Sequence, residues 1–432
     1  MVSVPGDQQL AVLLGGRQVG TLTQERAGGR HVFVYDADPG DLSLSLSMPV
    51  QAGRGYSARV VDAYLEGLLT DSRAERERLG RRFGVSSRNP FALLAHIGKD
   101  CAGAVQFCAP AEVDDVLARR GELVPVDEKR IGERLRRLRQ DSAQAWSAPG
   151  EAYSLGGAQS KFALRRTTDG WAEAHGAEPT THIIKTGIDR YRLQALNEHI
   201  CQRAATLLGL PAANTEYVEF DGEPAIVIER YDRAVLADGT VSRIHQEDLC
   251  QALGVRPAAK YESDGGPSAV DVLDLLATSA TPESQPRFVA YLAFMSLINA
   301  PDGHAKNHSI MHTGLPTLAP LYDVASSAPY EYDPSSDLNK MAMSIGGAWR
   351  FDQIREAQWS RLAERSGVDE TLVLGIVRDI ATDLPDALRD AIHGQDMPPD
   401  ARDLGDRLLP RVAALCASAL SSSLNPGRTA GP

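Results

Sequence analysis

The stretch RFVAYLAFMSLINAPDGHAKN, residues 287 to 307, constrains the fold more than any other. Its first two-thirds are apolar nearly all round, so a helix there has no face to offer to water and requires a core wrapped about it. Directly behind it stand Asp302 and, five residues on, Asn307; Asp323 follows sixteen residues later in LYDVASS. Interleaved with them, His304, His308 and His312 recur at spacings of four. Either set can hold a metal ion, and the two sets imply different enzymes.

At 432 residues the chain is too long for one ordinary core, which suggests two or three domains. Its five cysteines (Cys101, Cys108, Cys201, Cys250 and Cys416) are odd in number and form no C-x-x-C pair. That argues against a disulfide framework or a zinc knuckle and fits a reducing cytosol. The first residues, MVSVPGDQQL, lack the pattern of a signal peptide, and no apolar run is long enough to span a bilayer. The expectation is a soluble, cytoplasmic protein with no membrane role. A net charge of −12 disfavours nucleic acid as a direct partner. One local exception, RIGERLRRLRQ at 130 to 140, carries five arginines on a predicted helix, either a solvated face or a partner surface.

The pattern along the chain predicts an α+β protein. LAVLLGGRQVGTLT reads as a hairpin turning at Gly15 and Gly16, RHVFVYD as a third strand, and LSLSLS (42 to 47) as a strand with one buried face. ARVVDAYLEGLL then turns helical, so residues 1 to 110 form a β-rich subdomain with helices. Residues 111 to 150 read as charged and helical. A second β-rich stretch carries THIIKTG and PAIVIERYDR, with the helix RLQALNEHICQRAATLLGL between them. Residues 111 to 240 thus make a small lobe, 241 to 420 a mostly helical lobe, and 421 to 432 a disordered tail.

Phosphoryl transfer from ATP needs metal ions on the phosphates, a residue that accepts the nucleophile's proton and positive charge nearby. Protein kinases space the base and one metal ligand as D-x-x-x-x-N and hold the metal with a later Asp. Asp302, Asn307 and Asp323 satisfy that spacing. Lys185 closes the strand THIIK as a phosphate-contacting lysine would, and Glu198 on the next helix is a candidate partner for it; singly, each reads more readily as a surface charge. SLGGAQSK is no standard phosphate loop, yet Gly156 and Gly157 can either turn N–H groups toward phosphate or simply make a tight hairpin. Glu229 to Tyr231 suits a hinge whose backbone meets an adenine edge, or an ordinary strand end.

In order, SLGGAQSK, THIIK, IERYDR, HQEDLCQALG, KYESDGGPS, DGHAKNHS and LYDVAS resemble the HipA family of bacterial serine/threonine kinase toxins. GTLTQE, LSLSLSMP and IGKDCAGAVQ resemble that family's N-terminal subdomain, so the likeness runs from about residue 9 to 350. The resemblance implies a bilobal protein-kinase-like fold, ATP and magnesium as cofactors, Asp302 as catalytic base, and Asn307 and Asp323 as metal ligands. It implies Lys185 as the ATP-binding lysine and Gly156, Gly157, Ala158, Gln159, Ser160 and Lys161 as the phosphate loop. Glu229, Arg230 and Tyr231 match the adenine contacts. His304 and Lys306 flank the base and, with Tyr322 and Asp323, count among the implied ATP-binding residues, the first two by neutralising phosphate charge, and Ser154 matches the serine that family members phosphorylate on themselves. Departures are mild: Tyr231 stands where Phe is common, Ser160 where the loop is often acidic, and Pro301 precedes the base.

The resemblance also implies a HipB-like helix-turn-helix antitoxin, DNA contact mainly through it, and a protein substrate such as an aminoacyl-tRNA synthetase, glutamyl-tRNA synthetase first. Two alternatives stand beside the kinase. A zinc hydrolase built on the three histidines is disfavoured because HTGLPT breaks any helix and HSIMH reads better as a strand. A non-catalytic module acting through a DNA-binding partner should have lost one of the base, the metal ligands or the lysine, and none is missing.

Overall fold

The computed structural model describes residues 8–26, 29–140, 153–188, 190–330 and 336–422; the expected disordered tail lies almost wholly outside them. Two compact units result. The first takes the chain up to Thr186 together with Val218–Ala258 and Ser309–Gly314; the second takes Gly187–Tyr217, Ala259–His308 and the chain from Leu315 onward.

The first unit contains two large sheets besides shorter strand pairs. In one, the strands Gly55–Tyr56, His31–Tyr35, Arg17–Gln24, Gln8–Leu14 and Gln106–Cys108 lie side by side in that order, all antiparallel. The predicted hairpin forms because Gly15 and Gly16 both take positive φ, which a two-residue turn between right-twisted strands demands. Alternate residues Leu10, Val12, Leu22, Phe33 and Tyr35 pack into a core with Val61, Tyr64, Leu93 and Leu94 of the helices Ala58–Leu68 and Pro90–Ile97. Asn89 caps the second helix by accepting from Ala92 N–H, and Pro90 takes the first helical position, where no N–H is required.

LSLSLS is not a strand. Its backbone groups find side chains in place of a strand partner: Leu44 N–H donates to Tyr35 Oη at 2.8 Å and Leu46 N–H to Glu247 Oε1 at 2.7 Å. Ser45 Oγ donates to Glu247 Oε2 at 2.5 Å and Ser47 Oγ to the Gln251 carbonyl at 2.8 Å. The serines thus turn inward to a buried carboxylate, which alternation alone cannot reveal.

In the second sheet Glu223–Glu229, His182–Lys185, Lys161–Thr167, Gly170–Gly176 and Gly121–Val126 lie in that order. The last of these sits in a stretch expected to be helical; its Pro125 suits an edge strand, where a missing N–H does no harm. The arginine-rich helix Glu128–Gln140 buries Ile131, Leu135 and Leu138 against Phe162, Leu164 and Val227. Most of its arginines are used inside the unit: Arg134 lies over the Phe162 ring, Arg130 pairs with Glu173, and Arg136 and Arg139 both pair with Glu223. A short antiparallel pair, Gln246–Asp248 with Ser309–His312, completes the unit and makes HSIMH the strand it was expected to be.

In the second unit the helix Ser284–Leu297 is buried along almost its whole length, as its composition requires. The long helix Glu370–Ile392 packs against it, against Gln194–Leu207 and against Asp400–Ser422. Among the described residues no helix is long and apolar enough to cross a membrane.

Candidate active site

The buried helix ends at Leu297 and delivers the chain into a turn at Asn299, whose φ of 62° is a left-handed conformation rare for a side-chain-bearing residue. The turn is pinned to the segment behind Asp323. Asn299 Nδ2 donates to Ser327 Oγ, Ser327 N–H donates back to the Asn299 carbonyl at 2.9 Å, and Ser326 Oγ donates to the Ile298 carbonyl at 2.5 Å. Asn197, from the helix Gln194–Leu207, reads the same segment with both ends of its amide, donating to Ser326 O at 2.7 Å and accepting from Ser326 N–H at 3.1 Å. These bonds fix the Asp302 loop and the Asp323 loop to each other.

Within the first loop the Asp302 carbonyl accepts from His304 N–H at 2.9 Å and from Asn307 Nδ2 at 2.7 Å. Asn307 therefore turns its amide nitrogen to the backbone, which leaves its oxygen as the natural ligand atom. Asp302 is the exposed member of the group, with 60% of its side chain accessible, and its Oδ1 accepts from Tyr261 Oη at 2.7 Å. Asp323 has a φ of 58°, again left-handed, and Tyr322 beside it donates to the Lys306 carbonyl at 3.0 Å. Asp302, Gly303, Asn307, Tyr322 and Asp323 line one small cleft together with Met295. A carboxylate and an amide oxygen in one small cleft fit magnesium, which takes one or two protein oxygens and leaves the rest to phosphate and water.

The histidines diverge. His308 packs edge-on to Phe288, and burial pushes its pKa down to about 3. His312 donates or accepts at Glu247 Oε1, 3.0 Å away, from within its strand. Among the described residues no three His, Cys, Asp or Glu side chains group to hold a metal.

The remaining predicted residues lie in the first unit. Lys185 ends its strand directly across from Lys161 on the neighbouring strand, and both are buried, at 4% and 6% exposure. Cross-strand partners share a face, so the two lysines leave the sheet on the same side. Gly157 takes a φ of 95°, a backbone conformation that strains any residue with a side chain, and Lys161 Nζ lies close by. The loop is moored on both sides: Gln159 Nε2 donates to Thr186 O at 2.8 Å, and the Gly157 carbonyl accepts from Asp71 N–H at 2.9 Å. Gly156, Ala158 and Ser160 remain at least partly open to solvent. His304, Lys306 and Glu198 are all buried in the second unit, and His304 Nε2 lies 3.7 Å from Asp302 Oδ1.

Glu229 is exposed at its strand end, whereas the Arg230 guanidinium is buried. It donates to both Asp232 oxygens at 3.0 and 2.8 Å and to the Cys101 carbonyl at 2.8 Å. Arg233 donates to Asp100 Oδ1 and Arg243 lies 3.3 Å from the same oxygen. Burial would raise the Asp100 carboxyl, but Arg233, Arg230 and Arg243 together hold it well below the usual carboxylate range. The Asp100 carbonyl also accepts from Ser154 N–H at 2.9 Å, while Ser154 Oγ donates to the Leu68 carbonyl at 2.8 Å. Ser154 is 1% exposed. Sequence reasoning assigned no role to Asp100, Tyr261 or Asn299, although IGKDCAGAVQ and KYESDGGPS already stood out as motifs.

Comparison with known proteins decides the lineage. The HipA-like C-terminal domain matches residues 153–388, more than half of the chain, and the HipA N-terminal domain matches residues 10–108. The chain belongs to the HipA family. It is 37% identical over 396 residues to the Y4mE protein of Sinorhizobium fredii, covering 89% of this chain and 90% of that one. It is 27% identical over 400 residues to the serine/threonine-protein kinase toxin HipA of Shewanella oneidensis, covering 89% of each. The solved structure of the Shewanella oneidensis MR-1 toxin–antitoxin complex of HipA, HipB and operator DNA superposes with a TM-score of 0.80 at 26% identity, over 95% of this chain and 97% of that one. The α+β, protein-kinase-like fold and the assignment as a HipA-type serine/threonine kinase follow. Such a kinase uses ATP and a divalent metal.

Proposed function

We propose that this HipA-family kinase transfers the γ-phosphoryl group of ATP to a serine or threonine of a protein, with Asp302 as the base. The observation that carries this reading is the shared cleft of Asp302, Asn307 and Asp323. The substrate hydroxyl gives its proton to Asp302, its oxygen bonds to the γ-phosphorus, and the bond to ADP breaks. Asn307 and Asp323 would hold magnesium, whose charge would offset that of the phosphates. In the first unit Lys185 and Lys161 face the phosphates over the loop of residues 156–161, and the backbone of Glu229 and Tyr231 meets the adenine.

The proposal extends to the chain as the toxin of a type II toxin–antitoxin system. A HipB-like helix-turn-helix antitoxin holds it inactive and supplies the DNA contact, as the Shewanella complex of HipA, HipB and operator DNA suggests by analogy. The substrate favoured is an aminoacyl-tRNA synthetase, glutamyl-tRNA synthetase first, whose modification would inhibit translation. Ser154 is the self-phosphorylation site.

Incubating the protein with γ-labelled ATP, magnesium and a bacterial extract, then identifying labelled proteins by mass spectrometry, tests the reading. Label on a synthetase supports it fully; label on another protein leaves the kinase and removes the substrate. Absence of any label, with ATP bound, would favour a non-catalytic module.

A further inference from the structure

The motif KYESDGG, residues 260 to 266, takes no part in the reading above, yet it is built tightly against the proposed base. We infer that Tyr261 is a positioning residue for phosphoryl transfer, holding the Asp302 carboxylate in the rotamer that receives the substrate proton. This rests on Asp302 being the base.

The contact itself is a 2.7 Å hydrogen bond from Tyr261 Oη to Asp302 Oδ1. Asp302 is otherwise 60% accessible on its side chain, and an exposed aspartate ordinarily samples several rotamers. A donor on one oxygen selects among them. The tyrosine, in turn, is immobilised from three directions. Its carbonyl accepts from both Asp264 N–H and Gly266 N–H at 3.0 Å, closing a turn on itself. Gly265 ends that turn at a φ of 82°, and a Cβ on Gly266 would fall 1.9 Å from the Ala259 carbonyl, so the turn needs this glycine pair. The next residue, Glu262, is bolted to the strand Lys340–Ile345, where it accepts from Ser344 N–H at 2.6 Å and Ser344 Oγ at 2.9 Å. Finally the ring meets His304 edge-on, centroids 4.8 Å apart, and Ala305 N–H donates to the Lys260 carbonyl at 3.3 Å.

A chain of fixed contacts therefore runs from Ser344 through Glu262 and Tyr261 to Asp302. Its charged surroundings are mixed: His304 Nε2 lies 3.7 Å from the same Asp302 oxygen, and Lys260 Nζ lies 5.5 Å from the Tyr261 ring centre. The reading proposed above assigns nucleotide affinity chiefly to Lys185, Lys161 and the loop of residues 156–161, so the effect of losing the hydroxyl is expected in the transfer step and not in nucleotide affinity. Hydrogen bonds to charged groups, when lost from a reacting geometry, lower rates by about ten- to a hundredfold.

The test uses the full chain and Tyr261→Phe, which keeps the ring against His304 and removes only the hydroxyl. Label transfer from γ-labelled ATP to the strongest acceptor of a bacterial extract is measured across ATP concentrations, beside Asp302→Asn as reference. We expect Tyr261→Phe to reduce the saturating rate by about tenfold or more and to leave the half-saturating ATP concentration within about twofold of the parent. An unchanged saturating rate, with Asp302→Asn inactive, overturns the role of Tyr261 and leaves the base in place. A raised half-saturating ATP concentration at an unchanged saturating rate overturns it too, assigning the tyrosine to nucleotide binding. If Asp302→Asn itself retains activity, the base assignment fails and this inference falls with it.

Discussion

Asp100 Oδ1 lies 2.8 Å from Arg233 Nη2, with both side chains at 3% exposure or less. The pair joins a residue of the HipA N-terminal domain to one of the HipA-like C-terminal domain, and around it gather Arg230, Arg243 and Asp232. Three guanidinium groups thus share two carboxylates away from water. The same Asp100 holds the Ser154 backbone, so the N-terminal domain sets the geometry of both the hinge turn and the self-phosphorylation segment proposed above.

Asp100→Asn should cost about 3 to 5 kcal/mol of unfolding free energy, the range for stripping one partner from a buried ion network. Arg243→Gln should cost much less, because burial already pushes Arg243 down to about 10 and its removal balances the remaining charges. The Asp100 carboxyl is depressed in the folded chain, so its stabilisation is complete above the unfolded value of about 3.9 and fades as pH falls below it. Urea titrations of both variants at pH 7 check the ranking; equal losses would mean that charge balance is not what matters.

A second acid-sensitive element titrates higher. Burial, with His312 beside it, pushes His245 down to about 3, below its unfolded value of about 6.5. The unfolded chain therefore binds the extra proton between those values, and stability should fall as pH drops from about 6.5, by up to about 1.4 kcal/mol per pH unit. His245→Gln should flatten that limb in denaturant titrations at pH 4 to 7. An unaltered slope would place the effect on another group.

Asp302→Asn and Asp323→Asn should each lower phosphate transfer by at least about a hundredfold, the lower range for losing a general base or a metal-bound charge. Asp302 is exposed enough that its variant should melt with the parent. Calorimetry beside the transfer assay separates lost chemistry from lost fold.

Lys185→Ala should raise the half-saturating ATP concentration by about ten- to a hundredfold, since charge-assisted contacts contribute about 1.5 to 3 kcal/mol. Isothermal titration with an ATP analogue reads this directly. Unaltered affinity and rate together would remove the lysine from the phosphate site.

Ser154→Ala should lose self-labelling, and Ser154→Asp should bind ATP weakly, because a charge there competes for the loop's N–H groups. As the hydroxyl is buried against the Leu68 carbonyl, labelling requires the segment to open first. Hydrogen exchange at residues 153–157 should therefore rise once the serine is modified. Phosphate found elsewhere but never on Ser154 would end the regulatory reading.

What the amino-acid order determined by itself was local and periodic. The all-round apolarity of residues 287–300 required a buried helix, Gly15 and Gly16 required a tight hairpin, and the spacing of Asp302, Asn307 and Asp323 singled out the three residues that line one cleft. Backbone propensity and burial act over a few residues, so such features are legible one segment at a time. The tertiary structure decided the rest. LSLSLS has the alternation of a strand, but Glu247, some two hundred positions away, captures its serines and backbone. GELVPV became a strand only because Gly170–Gly176 lay ready to pair with it. Tyr261 meets Asp302 across 41 positions and Arg233 meets Asp100 across 133. Contacts at that range depend on how whole elements pack, and the specificity of a buried charge for its partner appears only once water has been excluded from both.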